Sequence, residues 1–153
     1  MIISLIVPCY NEEESLPFLY KALCEVRSSE EGKGREFEFI FVNDGSCDNT
    51  LKVIKDFAAS DSSIRYVSLS RNFGKESAMY AGLRKARGGY VAILDADMQN
   101  PPSLIPQMIK DLDSGNWDIV AARRVTRAGE PRIRSFFART FYKLINRMYD
   151  VEI

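Results

Sequence analysis

The segment Tyr-Val-Ala-Ile-Leu-Asp-Ala-Asp-Met-Gln-Asn-Pro-Pro, residues 90–102, decides how the chain is read. It opens on an apolar run, Tyr90 to Leu94, with the length and β-branched content of a strand buried on both faces of a sheet. It closes on Asp95 and Asp97. In extended backbone, residues i and i+2 point to the same side, so both carboxylates can aim at one point past the strand end. With the amide of Gln99 nearby they form a hard-oxygen set suited to Mg²⁺ or Mn²⁺. Pro101 and Pro102 stop the strand and can open a helix, where proline is tolerated in the first turn. Such an acidic turn belongs at the carboxyl end of a strand, where open α/β sheets bind ligands. Asp-x-Asp before proline is also ordinary turn chemistry, so the reading depends on the rest of the chain.

Working outward, other apolar runs repeat the pattern. Ile2 to Val7 is a strand ended by Pro8, and Ser15 can cap a helix carrying Leu16, Leu19, Tyr20, Leu23 and Val26 at helical spacing. Phe37 to Val42 is a second strand, and Asp48 caps a helix with Leu51, Ile54, Phe57 and Ala58 inward. Ile64 to Leu69 is a third strand, followed by a helix over Lys75–Arg87 with a small-residue face that Gly88-Gly89 ends. After the fourth strand, a helix carries Leu104, Ile105, Met108, Ile109 and Leu112, and a fifth strand runs from Asp118 to Ala122. Alternating strands and helices with short connections predict right-handed crossovers, and so a mostly parallel sheet with helices on both faces. There is no internal repeat or linker, and residues 1–153 read as one domain.

Composition bounds the function. With 153 residues, 46% apolar and 27% charged, the chain is of a size to bury about two-thirds of its unfolded surface. No apolar run approaches the ~20 residues of a membrane span, and the start lacks the basic region of a signal peptide. Three cysteines without metal-ligand spacing point to a reduced, cytosolic setting, and the absence of histidine excludes His-based triads and His-ligated zinc. The net charge of zero hides a polarity: Arg123 to Arg147 holds eight basic residues and one acid, against 13 basic and 20 acidic residues elsewhere. An anionic partner near the basic tail follows.

Polar residues also cluster by position. Asn11-Glu12, Asp44 to Ser46, Arg71-Asn72 and Asp95-Asp97-Gln99 each follow a strand, and so share the ligand-binding edge of a parallel sheet. Solvated turns would also be polar. Competing nucleotide motifs are absent: no G-x-G-x-x-G follows a strand, and around Gly74-Lys75 a P-loop fails because Leu69 replaces its first glycine and Glu76 its Ser/Thr.

Val-Pro-Cys-Tyr-Asn-Glu (7–12), Asn-Asp-Gly-Ser (43–46), Arg-Asn-Phe-Gly (71–74) and Asp-Ala-Asp-Met-Gln-Asn-Pro-Pro (95–102) together resemble glycosyltransferase family two. Within it the chain is similar to the branch that moves a sugar from a nucleotide donor to polyprenyl phosphate, the dolichol-phosphate mannose synthase-like enzymes. The resemblance implies a GT-A (Rossmann-like) α/β fold, a nucleotide-diphosphate-sugar donor and inversion at the sugar carbon. It implies that Pro8, Tyr10 and Glu12 line the nucleoside pocket, that Asp44 faces the base, and that Ser46 and Arg71 lie near the nucleotide. Tyr10 could equally pack, and Ser46 could only shape a turn. Asp95 and Asp97 correspond to the family's metal-binding pair, with Gln99 assisting. Asp97 and Arg123 are the expected catalytic residues, Arg123 matching the family's phosphate-contacting arginine. Arg127 and Arg132 flank Gly129 and Pro131 in a possible loop over the phosphates, or are solvated surface charge. Asn100 departs from the family's usual Asp.

The expected cofactor is Mg²⁺ or Mn²⁺. The expected partners are a UDP-sugar or GDP-sugar, a polyprenyl (undecaprenyl or dolichyl) phosphate and a membrane surface, with no nucleic acid. Such an acceptor is already a dianion near neutral pH, its second pKa being about 6, and so needs no base. Residues 134–149 read as a basic amphipathic helix that either lies on an anionic membrane or packs its stripe on the sheet. Members of the branch continue past the equivalent of Ile153, so a donor-binding part is expected here, at the cytoplasmic face of a membrane in the full-length protein. A nucleotide-sugar-binding module without transfer, a transferase acting on a saccharide hydroxyl, and a nucleotidyltransferase are the alternatives.

Overall fold

A computed structural model describes residues 1–122, of which Met1–Ala121 form a compact unit. Its centre is a four-stranded sheet of order β3-β2-β1-β4. The strands are β1 (Ile2–Cys9), β2 (Glu36–Asn43), β3 (Ile64–Ser68) and β4 (Tyr90–Ile93), and every pairing is parallel. Between them run α1 (Leu16–Ser28), α2 (Thr50–Ser60) and α3 (Lys75–Leu83), and a 3₁₀ turn, Pro102–Leu104, leads into α4 (Ile105–Asp113).

The pleat of β1 and β2 sorts the core into two layers. Ile3, Leu5, Val7 and Cys9 face the same side as Phe37, Phe39 and Phe41, and there meet Leu16, Leu19, Leu23 and Val26 of α1, Ile54 of α2, and Ile105 and Ile109 of α4. Ile6, Ile40 and Val42 face the other way and pack on Ala78 of α3. The small-residue face of α3 has a definite use at Gly82, where an added Cβ would lie 2.3 Å from Ile6 Cγ2. Helices therefore lie on both faces, as expected. The chain steps from β1 outward to β3 and returns through α3 to β4 on the far side of β1. The order thus reverses between β1 and β4, at a topological switch point where such sheets open a crevice at their carboxyl edge.

Pro8 makes that opening. The even residues of β1 turn their backbone groups toward β4, the Ile2 carbonyl accepting the Gly89 N–H at 3.0 Å and the Ile6 carbonyl the Leu94 N–H at 2.9 Å. Proline at position 8 has no N–H to continue this ladder, and β1–β4 pairing ends at Ile6 with Ile93. The other edge of β1 is unaffected. Its pairing with β2 continues through Pro8 with Val42 to Cys9 with Asn43, so the proline lies inside β1 rather than ending it.

Several expectations require correction. Asp118–Ala122 forms no strand: Ile119 is 83% exposed, and no strand among the described residues pairs with this run. The fourth strand is not buried on both faces. Val91 and Ile93 are exposed, because α3 covers β1 and β2. The α3 helix stops at Leu83 rather than Arg87, since the next turn is bound to the sheet. Glu38, buried within β2, accepts the Arg87 N–H at 2.6 Å and the Ser4 hydroxyl at 2.6 Å. Arg65 bridges the other Glu38 oxygen and the Lys85 carbonyl, both at 2.9 Å. Burial opposes ionisation of Glu38, but these hydrogen bonds and the Arg65 charge outweigh it and hold the carboxyl below its usual range. The N-cap position of α2 is Asn49, with Asp48 one residue earlier accepting the Thr50 N–H. Ser15 precedes α1, but its hydroxyl turns back to Glu12. No described helix is long and apolar enough to cross a membrane. The expected amphipathic helix at 134–149 lies outside the described residues.

Candidate active site

At the switch point an open cleft of about 290 Å³ is lined by Pro8, Tyr10, Glu12, Asp44, Asp95 and Asp97 together with Asn72 and Lys75. Residues from all four motifs therefore meet in one place. They do so because parallel strands deliver all their carboxyl ends to one edge.

Three of the loops are bound into a single platform. Asn11, in the left-handed region at φ 56°, donates its N–H to Ser46 Oγ (3.0 Å), and its side-chain oxygen accepts the Cys47 N–H (2.9 Å). Glu12 donates its N–H to Thr50 Oγ1 at 2.7 Å, and its carboxylate accepts the Ser15 hydroxyl at 2.6 Å. The loop after β1 is thus fixed to the loop after β2.

That loop is in turn fixed to the one after β3. Asp44 is buried, and its two oxygens accept the N–H groups of Phe73 (2.8 Å) and Gly74 (3.0 Å). Gly45, at φ 66°, brings its backbone so close that an added Cβ would lie 2.3 Å from the Arg71 carbonyl carbon. Asp44 therefore holds up one wall of the cleft, a duty the sequence did not disclose. Each carboxylate oxygen retains a lone pair for a further donor.

The fourth loop stands across the opening. Asp97 Oδ1 accepts the Gln99 N–H at 3.0 Å, and Met98 takes a positive φ of 60°. Asp95 meets the Lys75 ammonium at 2.5 Å, with the first residue of α3 reaching across the cleft. Two carboxylates in tandem are hard donors of the kind Mg²⁺ and Mn²⁺ take. Among the described residues no group of three or more His, Cys, Asp and Glu side chains converges to hold an ion. A pair of this kind fits a cation that completes its shell with substrate phosphates and water, as Mg²⁺ commonly does.

The remaining expected residues fall elsewhere. Ser46 and Gln99 make the contacts above without lining the cleft, and the Arg71 guanidinium stacks over the Phe73 ring at 4.9 Å. Arg123, Arg127 and Arg132 lie outside the described residues. Cys9 lines the cleft, but burial, reinforced by the Glu12 charge, raises its thiol pKa far above the usual range, so it stays protonated and unreactive. Lys75 is the charged lining residue that the motifs missed. Its only sequence signal was Gly74-Lys75 at a helix start, the remnant of a P-loop pattern that otherwise fails.

The family model described as glycosyl transferase family 2 matches residues 4–152. The chain is 42% identical over 153 residues to the prophage bactoprenol glucosyl transferase homolog of Escherichia coli (strain K12), covering 100% of this chain and 49% of that protein. Identity to the bactoprenol glucosyl transferase of Shigella phage SfX is 43% over 153 residues, with coverage of 100% and 49%. The chain thus spans about half the length of these relatives. Among solved structures, S. aureus TarS 1-349 superposes with a TM-score of 0.66 at 24% identity over 86% of this chain and 38% of that one, a likeness of fold. The mannosyltransferase PcManGT from Pyrobaculum calidifontis, solved with GDP-Man and Mn²⁺, gives 0.56 at 25% identity over 71% and 31%.

Proposed function

The chain belongs to glycosyl transferase family 2, and from that premise we propose that it binds a nucleotide-diphosphate-sugar and serves transfer of the hexose to a polyprenyl phosphate. The observation that carries this reading is one cleft lined both by Tyr10 and Asp44 of the bound loops and by the tandem pair Asp95 and Asp97. The platform of Tyr10, Glu12 and Asp44 suits a nucleoside. Pro8 and Tyr10 offer apolar surface, and Asp44 offers an acceptor for the N–H that both uracil and guanine carry. Asp95 and Asp97, aided by Gln99, would hold Mg²⁺ or Mn²⁺, which supplies Lewis-acid neutralisation of the diphosphate leaving group. The metal in the PcManGT complex supports this assignment.

The acceptor follows from chemistry and from kinship. A phosphate monoester with a second pKa of about 6 is a nucleophile that needs no general base. The relatives are named as a bactoprenol glucosyl transferase and as a homolog of one, which favours a polyprenyl acceptor here. In a single displacement the acceptor oxygen bonds to the anomeric carbon as the bond to the diphosphate oxygen breaks, which inverts that carbon. Arg123, and Arg127 and Arg132 beyond it, supply positive charge for the departing diphosphate. With such an acceptor the reaction would take place at a membrane, and we assign it to the cytoplasmic face.

The test has two parts. Calorimetric titration with UDP and with GDP is expected to show binding that Mn²⁺ strengthens, and Asp97→Ala to remove the metal's contribution. Equal affinity in excess chelator would remove the metal from the mechanism. When labelled UDP-glucose and GDP-mannose are each supplied with polyprenyl phosphate in detergent, one of the two is then expected to put label into the lipid product. Label on a saccharide acceptor alone would select the hydroxyl-acceptor reading instead.

A further inference from the structure

Among the described residues, the cleft is lined by four carboxylates, Glu12, Asp44, Asp95 and Asp97, and by one cation, Lys75. An anionic diphosphate meets a net negative charge in these residues, so how each carboxylate is neutralised bears on binding. Glu12 accepts a hydroxyl of its own loop, Asp44 two backbone N–H groups, and Asp97 the N–H of Gln99. Asp95 is matched by an ammonium on a flexible stem, at 2.5 Å, with the Lys75 side chain 54% exposed. Of the ion pairs among the described residues, this is the one that joins two cleft-lining groups.

We propose that Lys75 is a displaceable counter-ion, which neutralises Asp95 in the ligand-free cleft and passes to the donor's diphosphate when a divalent cation takes Asp95. The proposal rests on the donor-and-metal reading above. A dication on Asp95 repels an ammonium held against the same carboxylate. Lysine's rotatable stem lets the charge move while α3 stays in place. The ammonium, still tethered at the start of α3, then faces the anion that arrives with the metal, the diphosphate. Metal and nucleotide each pull on one side of the same ion pair. Lys75 therefore opposes metal alone and favours metal with nucleotide, a coupling between two ligands through one side chain.

This differs in sign from what an ordinary binding residue would show. Free Mn²⁺ would be followed by its EPR signal during titration of the chain, of Lys75→Gln and of Lys75→Arg, without nucleotide. Lys75→Gln is expected to bind Mn²⁺ about two- to fivefold more tightly, the scale of a part-exposed ion pair, and Lys75→Arg to match the parent. With Mn²⁺ saturating, Lys75→Gln is expected to bind UDP and GDP more weakly than the parent. Lys52→Gln removes an exposed cation paired with Asp56 on α2 and is expected to leave Mn²⁺ affinity unchanged. Mn²⁺ binding to Lys75→Gln that equals or falls below the parent's overturns the proposal, as does equal tightening in Lys52→Gln. Mn²⁺ binding lost in Asp97→Ala but indifferent to Lys75→Gln refutes the counter-ion alone. No Mn²⁺ binding to the parent, with or without nucleotide, refutes the metal reading and this proposal with it.

Discussion

Substituting Asp44 by Asn is the sharpest test of how the cleft is built. The change keeps shape and removes charge, but it also replaces an acceptor oxygen with a donor amide. At present both oxygens are used, at 2.8 Å to the Phe73 N–H and 3.0 Å to the Gly74 N–H. Asparagine can satisfy one of these and must turn its NH₂ toward the other, so that a donor faces a donor beside the buried position 44, even though the Gly74 N–H keeps Asn72 Oδ1 as a second acceptor at 3.0 Å. Hydrogen bonds to a charged group contribute about 1.5–3 kcal/mol, and an orphaned buried donor costs a similar amount. We therefore expect Asp44→Asn to lower unfolding stability by about 1.5–3 kcal/mol, the range for one charge-assisted bond. Nucleotide affinity should fall about tenfold or more, since 1.4 kcal/mol is tenfold in an equilibrium constant. Urea unfolding gives the first number, calorimetric titration with UDP and GDP the second, and the amide resonances of Phe73 and Gly74 report the loop directly. Unchanged stability and unmoved amides would refute the wall-holding role. Unchanged nucleotide affinity alongside a displaced loop would show that the base does not rest on this wall.

Two further predictions concern the fold rather than the cleft. Gly82→Ala pushes a methyl group to 2.3 Å from Ile6 Cγ2, an overpacking expected to cost about 1–3 kcal/mol. Urea unfolding should show it with nucleotide affinity retained, and a stability equal to the parent's would mean that α3 lies further from β1. Asp61→Asn tests a charged cluster in which Asp61 accepts bonds from Tyr20, Arg27 and Ser63. Burial raises its pKa, but the Ser63 hydroxyl and N–H, Tyr20 and Arg27 overcome that and hold the carboxyl far below its usual range. A depressed carboxylate stabilises the fold above its unfolded pKa of about 3.9 and loses that contribution as pH falls. The parent should exceed Asp61→Asn in stability at pH 7, with the gap closing below about pH 4. A gap constant from pH 7 to pH 2 would refute the linkage.

Much of the fold was legible because its signals are local. The runs in β1 and β2 are apolar on both faces since both strands lie inside the sheet, and Leu16, Leu19 and Leu23 repeat at helical spacing. The gathering of Tyr10, Asp44, Asp95 and Asp97 was also readable, since parallel topology alone sends those loops to one edge. The unread features depend on partners far away in the chain. Glu38 looks misplaced in an apolar strand until Arg65 and the Arg87 N–H meet it, and that meeting ends α3 early. Lys75 gains its significance from Asp95, twenty positions on, and no spacing rule links them. Asp118–Ala122 has the composition of a strand, but a strand also needs a neighbour's backbone groups.

The missing amide of Pro8 has a mechanical consequence. The loops after β1, β2 and β3 are cross-braced by hydrogen bonds, while the loop bearing Asp95 and Asp97 is carried by a short strand whose seam with β1 stops at Ile6. The pocket is thus tied by hydrogen bonds along three sides, and along the fourth by the packing of Ala96 and Met98 on the core and by the Asp95–Lys75 pair. A single imino acid sets where the sheet stops being a wall and gives way to an open cleft.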